Sequence, residues 1–112
     1  MRLVVAVIKP HRLQDVKDAL REAGVGGMTA IEVQGFGRQR GRTELYRGAE
    51  YQADLIPKVQ IEVLAEDDQV QLIVDAILAS ARTGKIGDGK VWVQDVGHVV
   101  RIRTGEMGPE AV

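Results

Sequence analysis

Residues 83–90, with the sequence TGKIGDGK, form the segment best suited to hold an anion. Its three glycines let the backbone approach a ligand closely, and its two lysines supply positive charge for phosphate groups. The spacing from Gly84 to Lys90 matches the GxxxxGK pattern of a P-loop, but Val91 stands where that motif needs Ser or Thr. Because a strand rather than a helix is predicted next, we reject the P-loop. An anion-binding loop and a plain helix-to-strand turn both stay open.

A second glycine-rich segment, GFGRQRG at residues 35–41, is similar in outline to a dinucleotide fingerprint. It is one residue too long, and no helix is predicted after it, so we exclude a dinucleotide-binding fold. What remains is a glycine hinge that lets Arg38 and Gln39 turn towards a ligand.

Arg101 and Arg103 lie two residues apart in a predicted short strand over residues 99–103. Alternate residues of a strand share a face, so both guanidinium groups would face the same way. Such a pair suits bidentate recognition of phosphate. The alternative is a charged strand edge that discourages aggregation.

Groups for catalysis or metal binding are few. The chain has no cysteine, which excludes a disulfide, a thiol nucleophile and a thiolate metal site. His11 and His98 are its two histidines, and neither has a partner at metal-ligand spacing. We therefore expect no catalytic residues.

Length and charge narrow the class of protein. The 112 residues predict one domain over 1–112. Fifteen basic and sixteen acidic residues leave a net charge of -1, which gives no electrostatic basis for direct nucleic-acid binding. The apolar run at residues 3–8 is too short to cross a membrane, so we expect a buried strand there and a cytoplasmic protein.

Apolar spacing predicts a first β-α-β unit. Residues 3–8 form a continuous, largely β-branched run typical of a central strand covered on both faces. A helix is predicted to begin near Pro10 and to end at Gly24, because its apolar residues recur three and four positions apart. Residues 28–36 are predicted to form the second strand.

The second half repeats this order. Residues 58–64 alternate between apolar and polar side chains, which predicts a half-buried strand. Acidic residues at 66–68 precede an apolar helical stripe from Val70 to Ala81. Residues 91–96 give a fourth strand, and 99–103 give a short fifth. The predicted fold class is α+β, a ferredoxin-like double β-α-β sandwich with a long loop between its halves.

That loop, residues 37–57, has no usable helical or strand period and exceeds the usual connection length in a compact domain. It contains Tyr46, Tyr51 and four arginines. A disordered surface loop is one interpretation, but low-complexity disorder rarely carries two tyrosines. A docking loop for partner proteins is the better interpretation.

Four segments, in this order, resemble the PII signal-transduction family: GFGRQ at 35–39, TELYRGAEY at 43–51, TGKIGDGK at 83–90 and VRIRTGE at 100–106. The resemblance extends from residues 8–10 to about Glu106, nearly the whole chain. It implies a homotrimer that binds ATP or ADP in clefts between neighbouring subunits, with a regulatory rather than enzymatic role.

By the same resemblance, residues 87–90 and Arg38 would hold the phosphates. The tail arginines, Arg101 and Arg103, would reach in from the neighbouring subunit. The implied nucleotide-binding residues are Gly27, Met28, Thr29, Gly35, Phe36, Gly37, Arg38, Gln39, Leu64, Gly87, Asp88, Gly89, Lys90, Arg101 and Arg103.

The resemblance also implies a second ligand, 2-oxoglutarate, which Mg²⁺ links to the nucleotide. Mg²⁺ prefers octahedral oxygen ligands and is commonly bound through substrate phosphates, and a 2-oxo acid adds two adjacent oxygens. Gln39 would contact the metal, Lys58 would pair with the distal carboxylate, and Gly87 would complete the site. Binding of 2-oxoglutarate would then depend on MgATP, and Gln39 would bias the long loop.

Regulatory residues of the family fall on the long loop. Tyr51 matches a tyrosine that a nucleotidyltransferase modifies in many members, and Arg47 matches an arginine that enters ammonium channels. Ala49 replaces a serine that is phosphorylated in some relatives, which excludes that regulation here. The implied partners are a nucleotidyltransferase, a glutamine-synthetase-modifying enzyme, a sensor kinase or an ammonium transporter.

Two other classes stay open on the residues alone. One is a nucleotide-using enzyme, for instance a slow phosphatase or a phosphotransferase that uses His98. The other is a trimeric ferredoxin-like protein that handles metal ions, against which the scarcity of His, Cys and Met ligands argues.

Overall fold

The computed structural model of the chain describes residues 1–37, 42–46, 49–53 and 55–112, with backbone alone for 42–46 and 49–53. The elements in chain order are β1 (Arg2–Ile8), α1 (Leu13–Glu22), β2 (Thr29–Gly35), β3 (Arg42–Tyr46), β4 (Ala49–Ala53), β5 (Ile56–Ala65), α2 (Val70–Ala81) and β6 (Lys90–Asp95). Short 3₁₀ turns at Pro10–Arg12 and Asp67–Gln69 lead into the two helices, and a third, Gly108–Ala111, lies near the C-terminus.

Four strands form one antiparallel sheet in the order β2-β5-β1-β6. The register places Val4 between Val63 of β5 and Val93 of β6. Each half of the chain contributes a β-α-β unit, β1-α1-β2 and β5-α2-β6. The predicted α+β class is confirmed, and the arrangement agrees with a ferredoxin-like sandwich.

Period-two alternation decides which sheet face the helices cover. Successive side chains of a strand point to opposite faces, so the odd positions of β5 and the even positions of β1 form one apolar face. The buried core combines this face with the apolar stripes of α1 and α2; it comprises Val4, Ala6, Ile8, Val16, Leu20, Val59, Ile61, Val63, Ala65, Ile73, Ile77 and Ala81. Each large aliphatic side chain buried in this way contributes roughly 1.5–3 kcal/mol.

Local signals at the helix ends agree with the observed bounds. Pro10 stands in the first turn ahead of α1, where its missing N–H removes no helical hydrogen bond. Gly24 follows α1 with φ 88° and donates its N–H to the Arg21 carbonyl at 3.0 Å. A capping box of Glu66 and Gln69 precedes α2.

The opposite face of the sheet, here called the outer face, is partly apolar and partly open. On it Val5 is buried, whereas Leu3 and Val7 of the same strand are only partly covered. Ile31 and Trp92, on the two edge strands, are each about 40% exposed. The prediction of a central first strand is confirmed, but the expected cover on both of its faces is complete only on the helical face.

Two predictions about the connections are wrong. Residues 37–57 are not without regular structure, because β3 and β4 pair antiparallel, with Glu44 opposite Tyr51. Backbone pairing between strands so close in sequence needs no apolar period, so the hydrophobic pattern gave no signal for it. The predicted fifth strand is reduced to one bridge between Val100 and Met107.

A turn at residues 102–104 replaces that strand. The Gly105 N–H donates to the Arg101 carbonyl at 2.8 Å, and Gly105 has φ 72°. Since the chain reverses here, the period of two does not apply, and the inference that Arg101 and Arg103 share a strand face is wrong.

Among the residues that the structure describes, no helix has both the length and the apolar composition needed to cross a membrane.

Candidate functional site

One end of the sheet gathers most of the predicted ligand-binding residues. Gly35 ends β2 opposite Ile56, where β5 begins. Lys58, two residues further along β5, pairs with Val33. Lys90 begins β6 opposite Val7. Phe36 and Gly37 follow β2 at the same end, and Phe36 is largely exposed. We call this end the loop end, because residues 83–89 also enter β6 there.

The glycine loop is tied together by the carboxylate of Asp88. Its Oδ2 accepts hydrogen bonds from the backbone N–H groups of Thr83 and Gly84, both at 2.9 Å. Its Oδ1 accepts one from the Thr83 hydroxyl at 2.5 Å and lies 3.2 Å from the Lys9 ammonium. The Thr83 hydroxyl bond first, and then the two N–H bonds and Lys9, hold the pKa of Asp88 well below its ordinary value of 3.8.

Lys58 places a second ammonium group beside the loop. Its Nζ donates to the Gly87 carbonyl at 2.6 Å. Burial, and next the positive charge of Lys9, lower the pKa of Lys58, while Asp88 acts in the opposite direction. An ammonium that is desolvated and repelled by a neighbouring cation gains from an anionic partner. The loop end is therefore suited to a carboxylate or phosphate ligand.

Gly89 allows the loop to pack directly against the backbone of β1. A Cβ added at this position would lie 1.7 Å from the Val7 carbonyl oxygen, and its φ of 99° disfavours other residues as well. Gly84 has a similar φ of 83° but open space around it. Gly84 is therefore required only by its backbone conformation. Gly89 is required by its conformation and also by the close approach of its backbone to that of β1.

A second group of predicted residues lies at the opposite end of the sheet. Thr29 begins β2 opposite Glu62, and Leu64 lies two residues further along β5. Gly27 and Leu64 line a cavity of about 240 Å³ that Pro109 and Val112 of the C-terminal turn help to enclose. We call this end the cavity end.

The tail arginines differ in their surroundings. Arg101 forms an ion pair with Glu106, with Nη1 and Oε1 3.2 Å apart, and its backbone N–H donates to the Glu106 carbonyl at 2.9 Å. Arg103 lies in the turn and is exposed. The guanidinium of Arg101 is therefore oriented by its own chain, whereas the exposed side chain of Arg103 faces solvent.

The two groups of one chain are too far apart to hold one phosphate. Lys58 and Leu64 lie six residues apart on β5, which corresponds to about 20 Å at the usual rise of a strand. Both side chains belong to the outer face of the sheet. A small ligand contacts both groups only if it spans the sheet or if a second copy of the chain supplies one of them.

Four of the predicted residues lie outside this geometry. Arg38, Gln39 and Arg47 fall outside the described residues, and Tyr51 is described only by its backbone in β4. Sequence reasoning missed Lys9 as part of the loop end. The available signal was its place directly after the buried strand β1, since a residue there must emerge at the end of the sheet.

Comparisons with known proteins give a consistent result. A family profile described as "Nitrogen regulatory protein P-II" matches residues 1–106. The chain is 57% identical over 112 residues to "Nitrogen regulatory protein P-II 1" of Escherichia coli (strain K12), with all of both chains covered. It is equally similar to "Nitrogen regulatory protein P-II" of Klebsiella oxytoca, and 55% identical over 112 residues to the protein of that name from Rhodobacter capsulatus, again with full coverage.

Gly84 and Gly89 allow a matched test of whether the loop packs against β1. Gly84→Ala should cost about 1–2 kcal/mol of unfolding free energy, because only the backbone conformation is unfavourable. Gly89→Ala should cost roughly 1–3 kcal/mol more, because the new Cβ overlaps the Val7 carbonyl. Urea unfolding of both variants at one protein concentration makes the comparison, and equal costs would show that the loop is not seated on β1.

Proposed function

The chain belongs to the nitrogen regulatory protein P-II family, and we propose that it is a non-enzymatic sensor which binds ATP or ADP together with 2-oxoglutarate. The observation that carries the proposal is the loop end. There a glycine loop seated on β1 meets the ammonium groups of Lys9 and Lys58, and Lys90 begins the next strand.

The nucleotide would bind with its phosphates at the loop end. Residues 87–90 offer backbone N–H groups and the Lys90 ammonium, and φ is positive at both Gly87 and Gly89. Backbone N–H groups in such glycine turns, together with a lysine, form a concave site for phosphate oxygens. Arg38, which the family pattern adds, lies outside the described residues.

Mg²⁺ fits this site only as a partner of the nucleotide. Within the described residues there is no group of three His, Cys, Asp or Glu side chains that could hold a metal ion. Two ammonium groups face the loop, so a bare cation would be repelled there. The phosphates would supply most of the oxygen ligands, with Gln39 as the protein ligand in our proposal.

The 2-oxoglutarate site would be built around Lys58. Its ammonium is partly desolvated and donates to the neutral Gly87 carbonyl, and within the described residues it forms no ion pair. The distal carboxylate of 2-oxoglutarate would provide an anionic partner and raise the pKa of Lys58 again. The 2-oxo acid end would face the phosphates and the metal, which makes the binding of the two ligands interdependent.

We further propose that the functional unit is a homotrimer. The outer face exposes Ile31, Leu64 and Trp92, and the two groups of site residues lie on that face at opposite ends. In a cyclic trimer, each contact joins two different patches of neighbouring subunits. The loop end of one subunit would then meet the cavity end of the next, and a cleft between them would hold one nucleotide.

The long segment between β2 and β5 would transmit the ligand state to partner proteins. Gln39 lies in sequence near its start and Lys58 just beyond its end, so both ligands bind where its conformation is set. We propose as partners a nucleotidyltransferase, a glutamine-synthetase-modifying enzyme, a sensor kinase or an ammonium transporter. The protein would act in the cytoplasm and reach the membrane only through a transporter.

The homotrimer is tested by light scattering on the purified protein. Wild type should have about three times the 12.2 kDa mass of one chain. Ile31→Glu places a charge on the outer face and should yield monomers, because burying an unpaired carboxylate is costly. Ala79→Glu places the same charge at an exposed position of α2 that lines neither end of the sheet, so it is the control and should stay trimeric. A monomeric or dimeric wild type would contradict the proposal.

Ligand coupling is tested with Lys58→Met, which removes the charge and keeps most of the aliphatic stem. Titration calorimetry of 2-oxoglutarate in the presence of MgATP should show a loss of roughly 2 kcal/mol or more. ATP affinity without 2-oxoglutarate should change by no more than about 1 kcal/mol, because at the nucleotide loop the variant loses the hydrogen bond to the Gly87 carbonyl and no proposed phosphate contact. Lys17→Met on α1 should leave both unchanged. If wild type binds 2-oxoglutarate equally well without MgATP, the metal-linked arrangement is wrong.

The modification site is tested with Tyr51→Phe, which keeps the ring and removes only the hydroxyl. Labelling by a PII nucleotidyltransferase with radioactive UTP or ATP should disappear, while ATP binding persists. Tyr46→Phe, on the partner strand of the same hairpin, is the control and should still be labelled. Labelling that survives in Tyr51→Phe would refute the assignment.

A further inference from the structure

We propose that Asp88 is a positioning residue of the nucleotide loop and not a ligand of the nucleotide. Its carboxylate, fixed by Thr83 and Lys9, would hold the backbone path that presents N–H groups of residues 87–90 to phosphates. This inference rests on the proposed nucleotide site and gives one of its expected binding residues a different role.

Both oxygens of the Asp88 carboxylate are already engaged by the protein. Oδ2 accepts two backbone N–H bonds at 2.9 Å, from Thr83 and Gly84. Oδ1 accepts the Thr83 hydroxyl at 2.5 Å and faces the Lys9 ammonium at 3.2 Å. An ionised carboxylate offers about four lone-pair sites, so these four donors nearly exhaust it. It is also an acceptor, which suits N–H groups and cations but not phosphate oxygens.

Thr83 is the second member of this group, which we call the Asp88 clamp (Lys9, Thr83 and Asp88). Its hydroxyl donates to Asp88 and accepts from the Lys9 ammonium at 3.1 Å and from the Lys85 N–H at 3.2 Å. The clamp therefore connects three places in the chain: the residue after β1, the segment after α2 and the residue before Gly89.

Two further contacts hold the chain on either side of the Asp88 clamp. Downstream, Gly89 packs against the Val7 carbonyl. Upstream, the Arg12 guanidinium donates to the Ser80 carbonyl through Nε at 2.9 Å and Nη2 at 2.5 Å, near the last turn of α2. Residues 80–89 are thus held at both ends and in the middle. In our proposal this leaves the N–H groups of 87–90 preorganised for a ligand.

Electrostatics and positioning predict opposite effects when Asp88 is changed. A carboxylate beside a triphosphate repels it, so neutralising that charge alone would tighten ATP binding. If the carboxylate instead holds the loop, neutralising it weakens ATP binding because the N–H groups lose their arrangement. The direction of the change in ATP affinity therefore distinguishes the two roles.

The decisive experiment compares Asp88→Asn, Thr83→Val and Thr83→Ser with wild type. Calorimetry measures MgATP affinity, and NMR hydrogen exchange without ligand measures protection of the Thr83 and Gly84 amides. Asp88→Asn should bind ATP about tenfold more weakly and show reduced protection of both amides, because its one amide oxygen is an uncharged, weaker acceptor and its NH₂ group cannot accept the Thr83 hydroxyl. Thr83→Val should behave similarly although no charge changes. Thr83→Ser restores the hydroxyl and should be close to wild type.

Asp75→Asn is the matched control. Asp75 is exposed on α2, with a 2.8 Å hydrogen bond from Gln71 one turn away, so the same chemical change is made far from the loop. It should alter neither ATP affinity nor the two amides. Thermal unfolding of every variant distinguishes loss of the loop arrangement from loss of the whole fold. If Asp88→Asn or Thr83→Val fails to fold, ATP binding and amide protection can still be measured in Thr83→Ser.

Unchanged or tighter ATP binding by Asp88→Asn would overturn the positioning role, and so would amide protection in that variant equal to that of wild type. A Thr83→Ser variant as weak as Thr83→Val would show that the hydroxyl is not the relevant group. If wild type binds no ATP, the proposed function fails. Hydrogen exchange in the variants would then still decide whether the clamp exists.

Discussion

Packing of both helices against one face of a four-stranded sheet is the constraint on which the rest of this structure depends. The helices bury the apolar side chains that β1 and β5 direct to one face, and the outer face is left without a comparable cover. A chain of this length buries only roughly two-thirds of the surface that its unfolded form exposes. Part of the remaining apolar area lies on the outer face, at Ile31, Leu64 and Trp92, and both groups of site residues are found there as well.

This placement explains why the candidate site is divided. Antiparallel order puts the start of β5 and the end of β2 at the loop end, and the end of β5 and the start of β2 at the cavity end. No local rearrangement of one chain brings Lys58 and Leu64 together, because both belong to the same strand. A ligand too short to span the sheet contacts both groups only if two copies of the chain supply them, which is why ligand binding and oligomer formation are linked in our proposal.

The loop end combines two electrostatic situations that serve different purposes. The Asp88 carboxylate has four donors around it, which stabilises its charged form and depresses its pKa. Among the described residues the Lys58 ammonium donates to the Gly87 carbonyl, and burial and the Lys9 charge lower its pKa against the opposing effect of Asp88. In our proposal the Asp88 carboxylate maintains the loop, whereas the Lys58 ammonium gains from an anionic ligand. Titratable groups whose surroundings perturb their pKa in this way are common at functional sites.

Sequence alone determined the two β-α-β units, the central position of the first strand and the bounds of α2, and it placed α1 to within about three residues at each end. These follow from apolar periods and end signals that act within a few residues, such as Pro10 and Gly24. It also singled out the glycine loop through its residue types, and Lys58 only through the resemblance to a known family. The β3-β4 pair and the turn at 102–104 were missed, because backbone pairing and chain reversal leave no apolar period. Only the tertiary structure decided that Lys9, Thr83 and Asp88 meet, that Gly89 touches β1 and that the site residues separate to two ends of one face. Each of these depends on the register of strands distant in sequence, which a local pattern does not encode.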